Sequence, residues 1–317
     1  MLKRIFTCAI AAICFVALPA ESKDYTQYVD PFIGADGGGY VFPGACMPYG
    51  MVKLGPDCNR LTENAGWQAG TDVVGFSHTH LNGSGGGCKH GNVLFMASTG
   101  EFTPVGYSSP YDGENAQVGL FSIHLKRYDI GVRLSASEHA GFHEYSFPET
   151  DKANIFVDLG KFLASYEAQE FVGSEVRILS DTEIEGYTRI RNGWNFSTAY
   201  TVYFHARFDT PAESFGTWKD DRKAPGVTEQ ADNNSKCGAW FTFNTNGHKT
   251  VKVKVGISYM GYGKAKENIR ELGSWDIEDA RKKAVDTWNG ILSKIDVDTP
   301  DTDARKIFYS SVYRIFL

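Results

Sequence analysis

The stretch TVKVKVGISY, residues 250–259, alternates valine with lysine, and this pattern is the clearest indication of the fold class in the sequence. A period of two places every second side chain on the same face of a β-strand, so the valines face a core and the lysines face water. This alternation predicts a half-buried strand of an antiparallel sheet. Similar short alternating or β-branched runs occur upstream, at residues 121–126, 131–136, 153–159, 183–190, 200–208 and 239–243.

These runs are separated by turn residues and extend from about residue 28 to about residue 260. Many short strands without strand–helix alternation are typical of an antiparallel sandwich. The sequence therefore predicts an all-β fold, a large antiparallel sandwich of two sheets. The 317 residues, 42% of them hydrophobic and 22% charged, are enough to build a sizeable core.

Beyond residue 262 the hydrophobic period becomes helical, and Asp276 is placed to cap a helix. Two interpretations follow: the helices dock on the sandwich, or the sequence ends inside a larger protein that supplies their partner. The second is favoured because the chain stops at Phe316-Leu317 without a glycine cap or polar tail. The first predicted stripe contains Ile277, Ala280, Ala284, Trp288, Ile291 and Ile295, and the second contains Ala304, Ile307, Phe308, Val312, Ile315 and Phe316.

The first 20 residues have the organisation of a secretory signal peptide. Lys3 and Arg4 precede an apolar run over residues 5–18, and cleavage is expected after Ala20 or Ser22. The apolar run is too short to span a bilayer. The mature chain is therefore expected to be exported, with no membrane insertion after cleavage.

The charge of the mature chain limits its binding partners, and its cysteine content limits the kinds of cysteine site that it can form. Removal of the leader leaves 30 basic and 38 acidic residues, a net charge of −8 with no basic block. This argues against nucleic acid and anionic membranes as partners. Cys46, Cys58, Cys88 and Cys237 remain, without the paired spacing of a zinc ribbon. One or two disulfides and four buried free thiols are both compatible with export.

Two glycine-rich stretches stand out, at residues 34–40 and 82–88. Glycine permits positive φ angles and lets the backbone approach a ligand closely. Neither stretch ends in the Lys-Ser/Thr pair of a phosphate-binding loop. The alternative is that both are surface turns.

His78 and His80 lie two residues apart in GFSHTHL, which on a strand puts both imidazoles on one face. Two imidazoles could bind a metal, but no third ligand with suitable spacing is visible, so hydrogen bonding is favoured. Trp67 lies in the glycine-flanked loop NAGWQAG, where an indole could stack on a pyranose or anchor the loop. No convincing acid–base pair or catalytic triad is found.

Several ungapped segments, in order, resemble glycoside hydrolase family 92. The first two are VDPFIGADGGGYVFPGACMPYGMVKLGPD (29–57) and NAGW (64–67), and the third is GFSHTHLNGSGGGCKHGNVLFMASTG (75–100). AGFHEYSFP (140–148), VKVGISY (253–259), SWDIEDARKKAVDTWN (274–289) and ARKIFYSSVYRIFL (304–317) continue the resemblance. It covers nearly the whole mature chain, with departures from the family's pattern at Cys46, Cys88 and His90.

The resemblance implies a galactose-mutarotase-like β-supersandwich at residues 24–262. Residues 263–317 would form a helical linker and the start of a missing (α/α)6 catalytic barrel expected in cis. Family members are calcium-dependent exo-α-mannosidases that act with inversion, which requires a carboxylic acid and a carboxylate. The family carries both carboxylates, and most of its calcium site, on the barrel. We therefore assign no catalytic residue and no metal ligand to this chain.

The resemblance assigns the sandwich a role in binding the terminal mannose of a glycan. The residues expected to bind substrate are Gly37, Gly38, Gly39, Phe42, Trp67, His78, His80 and Lys89. The expected function is the amino-terminal half of a secreted mannosidase that acts on N-glycans or mannan, in a bacterial periplasm or at the cell surface. The alternatives are a stand-alone carbohydrate-binding domain and a non-functional truncated fragment.

Overall fold

The computed structural model describes residues 23–59, 65–82, 90–163, 169–192 and 198–317. The predicted signal peptide and Lys89 lie outside these ranges. Seventeen strands lie within them: β1 (Ala45–Cys46), β2 (Lys53–Cys58), β3 (Val73–Ser77), β4 (Leu94–Thr99), β5 (Tyr111–Gln117), β6 (Leu120–Leu125), β7 (Ile130–Ala136), β8 (Ala140–Ser146), β9 (Ala153–Asp158), β10 (Gln169–Ser180), β11 (Glu183–Asn192), β12 (Tyr200–Phe208), β13 (Ser214–Lys219), β14 (Arg222–Pro225), β15 (Glu229–Asp232), β16 (Cys237–Phe243) and β17 (Thr250–Ser258).

The strands form two antiparallel sheets, which confirms the predicted all-β sandwich. The eight-stranded sheet has the order β1-β2-β3-β4-β9-β16-β13-β14. The nine-stranded sheet has the order β15-β10-β11-β12-β17-β8-β7-β6-β5. Their inner faces meet in one core, where the ring of Phe208 on β12 packs 4.6 Å from that of Phe241 on β16.

The strand at residues 250–259 is found as β17, but its predicted wet face is covered. Lys254 is only 3% exposed, and its ammonium donates to the Gly273 carbonyl at 2.7 Å while lying over the Trp275 ring. Burial lowers the pKa of Lys254 to about 8. The alternation predicted the strand correctly, but it could not show that the segment following β17 folds back over this face.

Three helices follow the last strand: α1 (Tyr262–Asn268), α2 (Ile277–Leu292) and α3 (Thr302–Ile315). Asp276 caps α2 as predicted, because its carboxylate accepts a hydrogen bond from the Glu278 amide. The buried stripe of α2 also agrees with the sequence, except that Leu292 replaces Ile291 as its last member and Ile295 is 51% exposed.

The predicted stripe of α3 is right only in part: Phe308, Val312 and Phe316 are partly buried against the second hydrophobic cluster, but they are not its fully buried members. The buried residues are Tyr309, Ser310 and Tyr313, whereas Ile307 and Ile315 are 57% and 72% exposed. The two tyrosines were overlooked because hydropathy alone gives them little weight. Their hydroxyls have partners inside the protein: that of Tyr309 donates to the Ile295 carbonyl, and that of Tyr313 lies 3.1 Å from the Cys46 sulfur.

Helices α2 and α3 dock on the chain's amino-terminal segment, where they close a second hydrophobic cluster. The Trp288 indole is fully buried, stacks 4.3 Å from the Tyr313 ring, and donates to the Cys46 carbonyl at 3.0 Å. This cluster also contains Tyr25, Val29, Phe42, Met47 and Leu292. The buried faces of α2 and α3 therefore pack against this chain itself, as the first of the two interpretations predicted.

The three described cysteines, Cys46, Cys58 and Cys237, are buried free thiols. Burial raises the pKa of each to about 11, so each remains protonated at neutral pH. The described cysteines thus follow the free-thiol alternative, and Cys88 lies outside the described residues.

The second cluster gives the first prediction. Trp288→Ala should lower the free energy of unfolding by about 3–5 kcal/mol, because it leaves a cavity and removes the hydrogen bond to Cys46. Ile295→Ala, at an exposed site just beyond the same helix, should change it by less than about 0.5 kcal/mol. Urea unfolding of the 317-residue chain measures both values. Equal effects of the two substitutions would contradict the docking of α2.

Candidate functional site: a cleft beside the histidine motif

A cleft of ≈ 380 Å³ opens where the segment after β3 meets the end of α3. A second hollow of ≈ 360 Å³ adjoins it, since both are lined by His90 and Tyr259. The lining residues of the first are Met51, Lys53, Thr79, His80, Leu81, Asn82, His90, Tyr259 and Leu317, and those of the second are His90, Thr198, Ala199, Tyr200 and Tyr259. We refer to both hollows together as the cleft.

His80 lies on the floor of the cleft and is held from both sides. Its Nδ1 lies 2.7 Å from the Lys53 carbonyl, and its Nε2 lies 2.8 Å from the Asp57 carboxylate. Both partners are hydrogen-bond acceptors, and together they fix the orientation of the imidazole ring. The Phe42 ring stacks on the imidazole at 5.2 Å with an interplanar angle of 7°.

Gly66 of the NAGW motif lies directly against His80 and Asp57. A Cβ atom at Gly66 would lie 2.6 Å from the Asp57 carboxylate oxygen and 2.9 Å from His80 Nε2, and Gly66 has a φ of +103°. Only glycine fits both the space and the backbone angle. The loop that contains Gly66 and the segment that contains His80 are therefore in direct contact in the fold.

His78 does not share a face with His80, because β3 ends at Ser77 and both histidines follow it. Its Nδ1 donates to the Val93 carbonyl at 2.7 Å, so its Nε2 accepts from His143 Nε2 at 3.1 Å. His143 Nδ1 in turn accepts from the Tyr145 hydroxyl at 3.0 Å. This is a directed chain of neutral groups inside the sandwich, and burial lowers the pKa of His78 to about 4.

Trp67 lies in the core, 2% exposed, with its ring near those of Phe32, Tyr111 and Phe121. It is therefore placed as a loop anchor, the alternative to stacking on a sugar, and its indole faces are not presented to solvent. In the first glycine-rich loop, Gly37 and Gly38 have φ angles of +69° and +84°. A Cβ atom at Gly39 would lie 2.2 Å from the Gly34 carbonyl oxygen, so the loop is folded tightly on itself.

The structure thus places His80 at the cleft, with the fully buried Phe42 ring stacked on it, and it places Trp67 and His78 in the interior. Gly37 and Gly39 are exposed on their loop. The substrate-binding roles assigned to Gly37, Gly38, Gly39, Phe42, His78 and His80 stay predictions, as does that of Lys89.

Sequence reasoning missed Arg314 of α3, which connects three motif segments. Its guanidinium donates to the Phe42 carbonyl at 3.1 Å, to the Pro31 carbonyl, and to the Asn82 side-chain oxygen at 3.3 Å. The Asn82 amide returns a bond to the Arg314 carbonyl at 3.1 Å. An arginine near the end of a helix gives no local signal of this role, because its acceptors lie more than 230 residues away in the sequence.

Two buried amide groups beside the cleft were also missed. Asn92 Oδ1 accepts from the Tyr200 hydroxyl at 3.1 Å, and Gln169 Oε1 accepts from the His90 backbone amide at 3.0 Å. The amide nitrogens of Asn92 and Gln169 have no hydrogen-bond partner among the described residues. Buried donors without acceptors are costly, so they are candidates to bind a hydroxyl or a water molecule.

The described residues contain no group of three or more His, Cys, Asp or Glu side chains that could hold a metal ion. Within the same ranges no helix is long and apolar enough to cross a membrane.

Comparisons with known proteins identify the family. The sequence model of the glycosyl hydrolase family 92 N-terminal domain matches residues 28–258, and that of the family 92 catalytic domain matches residues 264–317. The chain belongs to glycosyl hydrolase family 92.

A family 92 α-mannosidase from Bacteroides thetaiotaomicron, solved in complex with mannoimidazole, is 28% identical with a TM-score of 0.84, over 93% of this chain and 40% of that one. A family 92 glycosyl hydrolase called ccman5 is 26% identical with a TM-score of 0.81, over 92% of this chain and 41% of its own. A protein of Arthroderma benhamiae described as an uncharacterized secreted glycosidase is 25% identical over 92% of this chain and 41% of its own length. The chain thus spans about two fifths of the length of these relatives.

The histidine chain predicts a pH dependence of stability. The folded pKa of His78 lies below its unfolded value of about 6.5, so below pH 6.5 the unfolded state binds more protons than the folded one. Stability should be fully present above pH 6.5 and should decrease as the pH falls toward 4. Each buried imidazole steepens this slope by up to about 1.4 kcal/mol per pH unit, and His143→Gln should make it shallower.

His124, which is partly exposed, provides the control for this measurement. Asp112 and Asp129 raise the pKa of His124, so its contribution is present at low pH and is lost as the pH rises. His124→Gln should therefore change the profile in the opposite sense. Urea unfolding between pH 4.5 and 7.5 gives all three profiles, and identical slopes for His143→Gln and the parent would contradict the neutral histidine chain.

Arg314 gives a further prediction. Arg314→Met should lower the free energy of unfolding by roughly 2 kcal/mol, because carbonyl groups lose a charged donor. It should also speed amide hydrogen exchange over residues 31–42 and 79–82. Ser311→Ala, at an exposed site on the same helix whose hydroxyl bonds only to the Ile307 carbonyl, is the control and should leave exchange unchanged. Native exchange rates over residues 31–42 in Arg314→Met would show that Arg314 does not hold these segments.

Proposed function

We propose that this chain is the amino-terminal, substrate-binding half of a secreted exo-α-mannosidase. The match of the family's N-terminal domain over residues 28–258 is the observation that carries the proposal. The structural relative named above is an α-mannosidase whose complex contains mannoimidazole. The proposed substrate is a mannose-containing N-glycan or mannan, and the proposed location is a bacterial periplasm or cell surface. The secreted relative supports export.

The cleft supports a division of labour between two parts of a longer protein. Inverting hydrolysis needs one carboxylic acid and one carboxylate on opposite sides of the scissile bond. The described lining residues include no aspartate or glutamate, and Asp57, which contacts the lining residue His80, is paired with it. We therefore place the catalytic acid and base, and the calcium that the family requires, outside the described part of this chain.

In this proposal the chain's own residues bind and orient the terminal sugar. Asn82, fixed by Arg314, presents a polar side chain at one wall, and His80, fixed by Asp57, forms the floor. The unpartnered amide nitrogens of Asn92 and Gln169 offer donors to hydroxyl groups. Such pre-positioned donors reduce the ordering cost of binding.

An exposed apolar surface next to the cleft supports a catalytic domain in cis. Tyr49 and Ile315 are 73% and 72% exposed, and the Tyr49 ring lies 5.5 Å from that of Phe316. Leu317, the next residue, lines the cleft itself. Exposed apolar groups collected at a site edge are typical of a surface that another domain covers.

The test is an activity assay on the purified 317-residue chain with calcium and α-1,2-linked mannobiose. We expect no mannose release, because the catalytic carboxylates belong to the other half, while the B. thetaiotaomicron α-mannosidase serves as the positive control. Mannose release that stops on addition of EDTA would contradict this assignment.

Two further measurements separate the alternatives. Sequencing the gene beyond codon 317 should reveal a helical domain with the acid and base carboxylates, and a stop codon there would refute the two-part enzyme. Calorimetry of the chain with mannobiose should show binding that Asn82→Ala weakens, whereas Asn246→Ala, in an exposed turn away from the cleft, should not. Equal affinities for the two variants would remove the cleft as the binding site.

A further inference from the structure

A separate cavity lies away from the cleft. It has a volume of ≈ 640 Å³, within the range of small-molecule sites, and it shares no lining residue with the cleft. It lies over the eight-stranded sheet, on the face that carries Trp218. The opposite face carries Phe241, which packs into the core between the sheets. The cavity is therefore on the outer side of the sandwich.

Two tryptophans are fixed on this outer face by a reciprocal arrangement. Trp218 on β13 is directly opposite Gly238 on β16, and Gly216 is directly opposite Trp240. A Cβ atom at Gly238 would lie 2.5 Å from the Trp218 ring, and one at Gly216 would lie 2.5 Å from the Trp240 ring. Each indole therefore lies over a glycine of the neighbouring strand, in a fixed position.

The two indoles differ in what surrounds them. Trp240 stacks on Phe102 at 5.1 Å with an interplanar angle of 18° and does not line the cavity. Trp218 lines the cavity, is 2% exposed, and its indole N–H has no acceptor among the described residues. A buried N–H without an acceptor is rare in native proteins because its desolvation is not compensated. The Trp218 N–H is therefore a candidate donor to a ligand oxygen or to a water molecule.

A buried carboxylate lies at the same cavity. Asp158 accepts from the Tyr107 hydroxyl at 2.6 Å and from the Gly160 amide at 2.9 Å, and it keeps lone pairs for further donors. Burial raises the pKa of Asp158, while Lys161 and Lys236 oppose the rise. These two lysines also line the cavity.

The remaining lining adds charge of both signs and an apolar wall. With Asp220 and Asp221 the cavity is lined by three carboxyl groups and two lysine ammonium groups. Val74, Pro104 and Val105 form its apolar side. A polyphosphate would be repelled by the carboxylates, and a polycation would be repelled by the lysines. Donors and acceptors around an apolar wall suit a neutral molecule that has many hydroxyl groups and one C–H-rich face.

We propose that this cavity is a second saccharide-binding site, which holds a pyranose of a glycan away from the cleft. The Trp218 N–H donates to a sugar oxygen, the Asp158 carboxylate accepts from a hydroxyl, and the apolar wall covers the C–H face. The choice of a saccharide among hydroxyl-rich molecules rests on the proposed function. A glycan held at two places on one chain would bind with a higher effective concentration at each.

The test follows the tryptophan indole resonances of the ¹⁵N-labelled 317-residue chain during titration with methyl α-mannoside and α-1,2-linked mannobiose. Trp218→Phe and Trp240→Phe assign the two signals. We expect the Trp218 indole signal to shift saturably and the Trp240 signal to stay in place. Trp218→Phe should weaken binding at this cavity about tenfold, as expected for loss of one buried hydrogen bond, and Trp240→Phe should not weaken it.

Lys236→Met, at the cavity rim, should also weaken binding. It replaces Trp218→Phe as the test if that variant does not fold. Asn82→Ala distinguishes the two sites: in this variant the Trp218 shift should persist while binding at the cleft is weakened. A Trp218 signal that never moves, with sugar binding abolished by Asn82→Ala, would overturn the second site and leave the proposed function standing. Equal weakening by Trp218→Phe and Trp240→Phe would also overturn it.

Discussion

The hydrogen bonds of the Arg314 guanidinium are the constraint on which the arrangement of the cleft depends. They connect the last helix to the backbone at Pro31 and Phe42 and to the side chain of Asn82. A guanidinium is costly to bury unless acceptors surround it, and carbonyl groups are equally costly to bury without donors. The pairing therefore fixes three distant segments relative to one another, since none can move without leaving a buried group unpaired.

The floor of the cleft depends on the same constraint through Phe42. The Arg314 guanidinium binds the Phe42 backbone, and the Phe42 ring stacks on His80, which is paired with Asp57. Gly66 allows the next loop to lie against that pair. Residues from two glycine-containing motifs, one strand and one helix thus meet at one place. The order of these residues along the chain gives no indication of this meeting point, because Arg314 and Phe42 are separated by 272 residues.

The two parts of the chain that match different family 92 domains are packed together by the second cluster. Trp288 and Tyr313 from the carboxy-terminal part lie against Cys46 of the amino-terminal part. Lys254 shows the same close packing at the sheet, since the segment after β17 buries an ammonium group that the sequence pattern assigns to water. The helical region thus packs tightly against the sandwich. In the proposed function it also connects the sandwich to the catalytic half.

The sequence by itself determined the strands, the two-sheet class, the Asp276 cap and the family, because alternation, capping and ungapped motifs are local properties of the chain. Only the tertiary structure decided which lysines are covered, which face of α3 is buried, and that Trp67 and His78 lie inside while Asn92 and Arg314 flank the cleft. Burial and hydrogen-bond pairing depend on residues brought together from distant parts of the chain. A period of two or of 3.6 residues shows which side chains share a face, but it cannot show what covers that face.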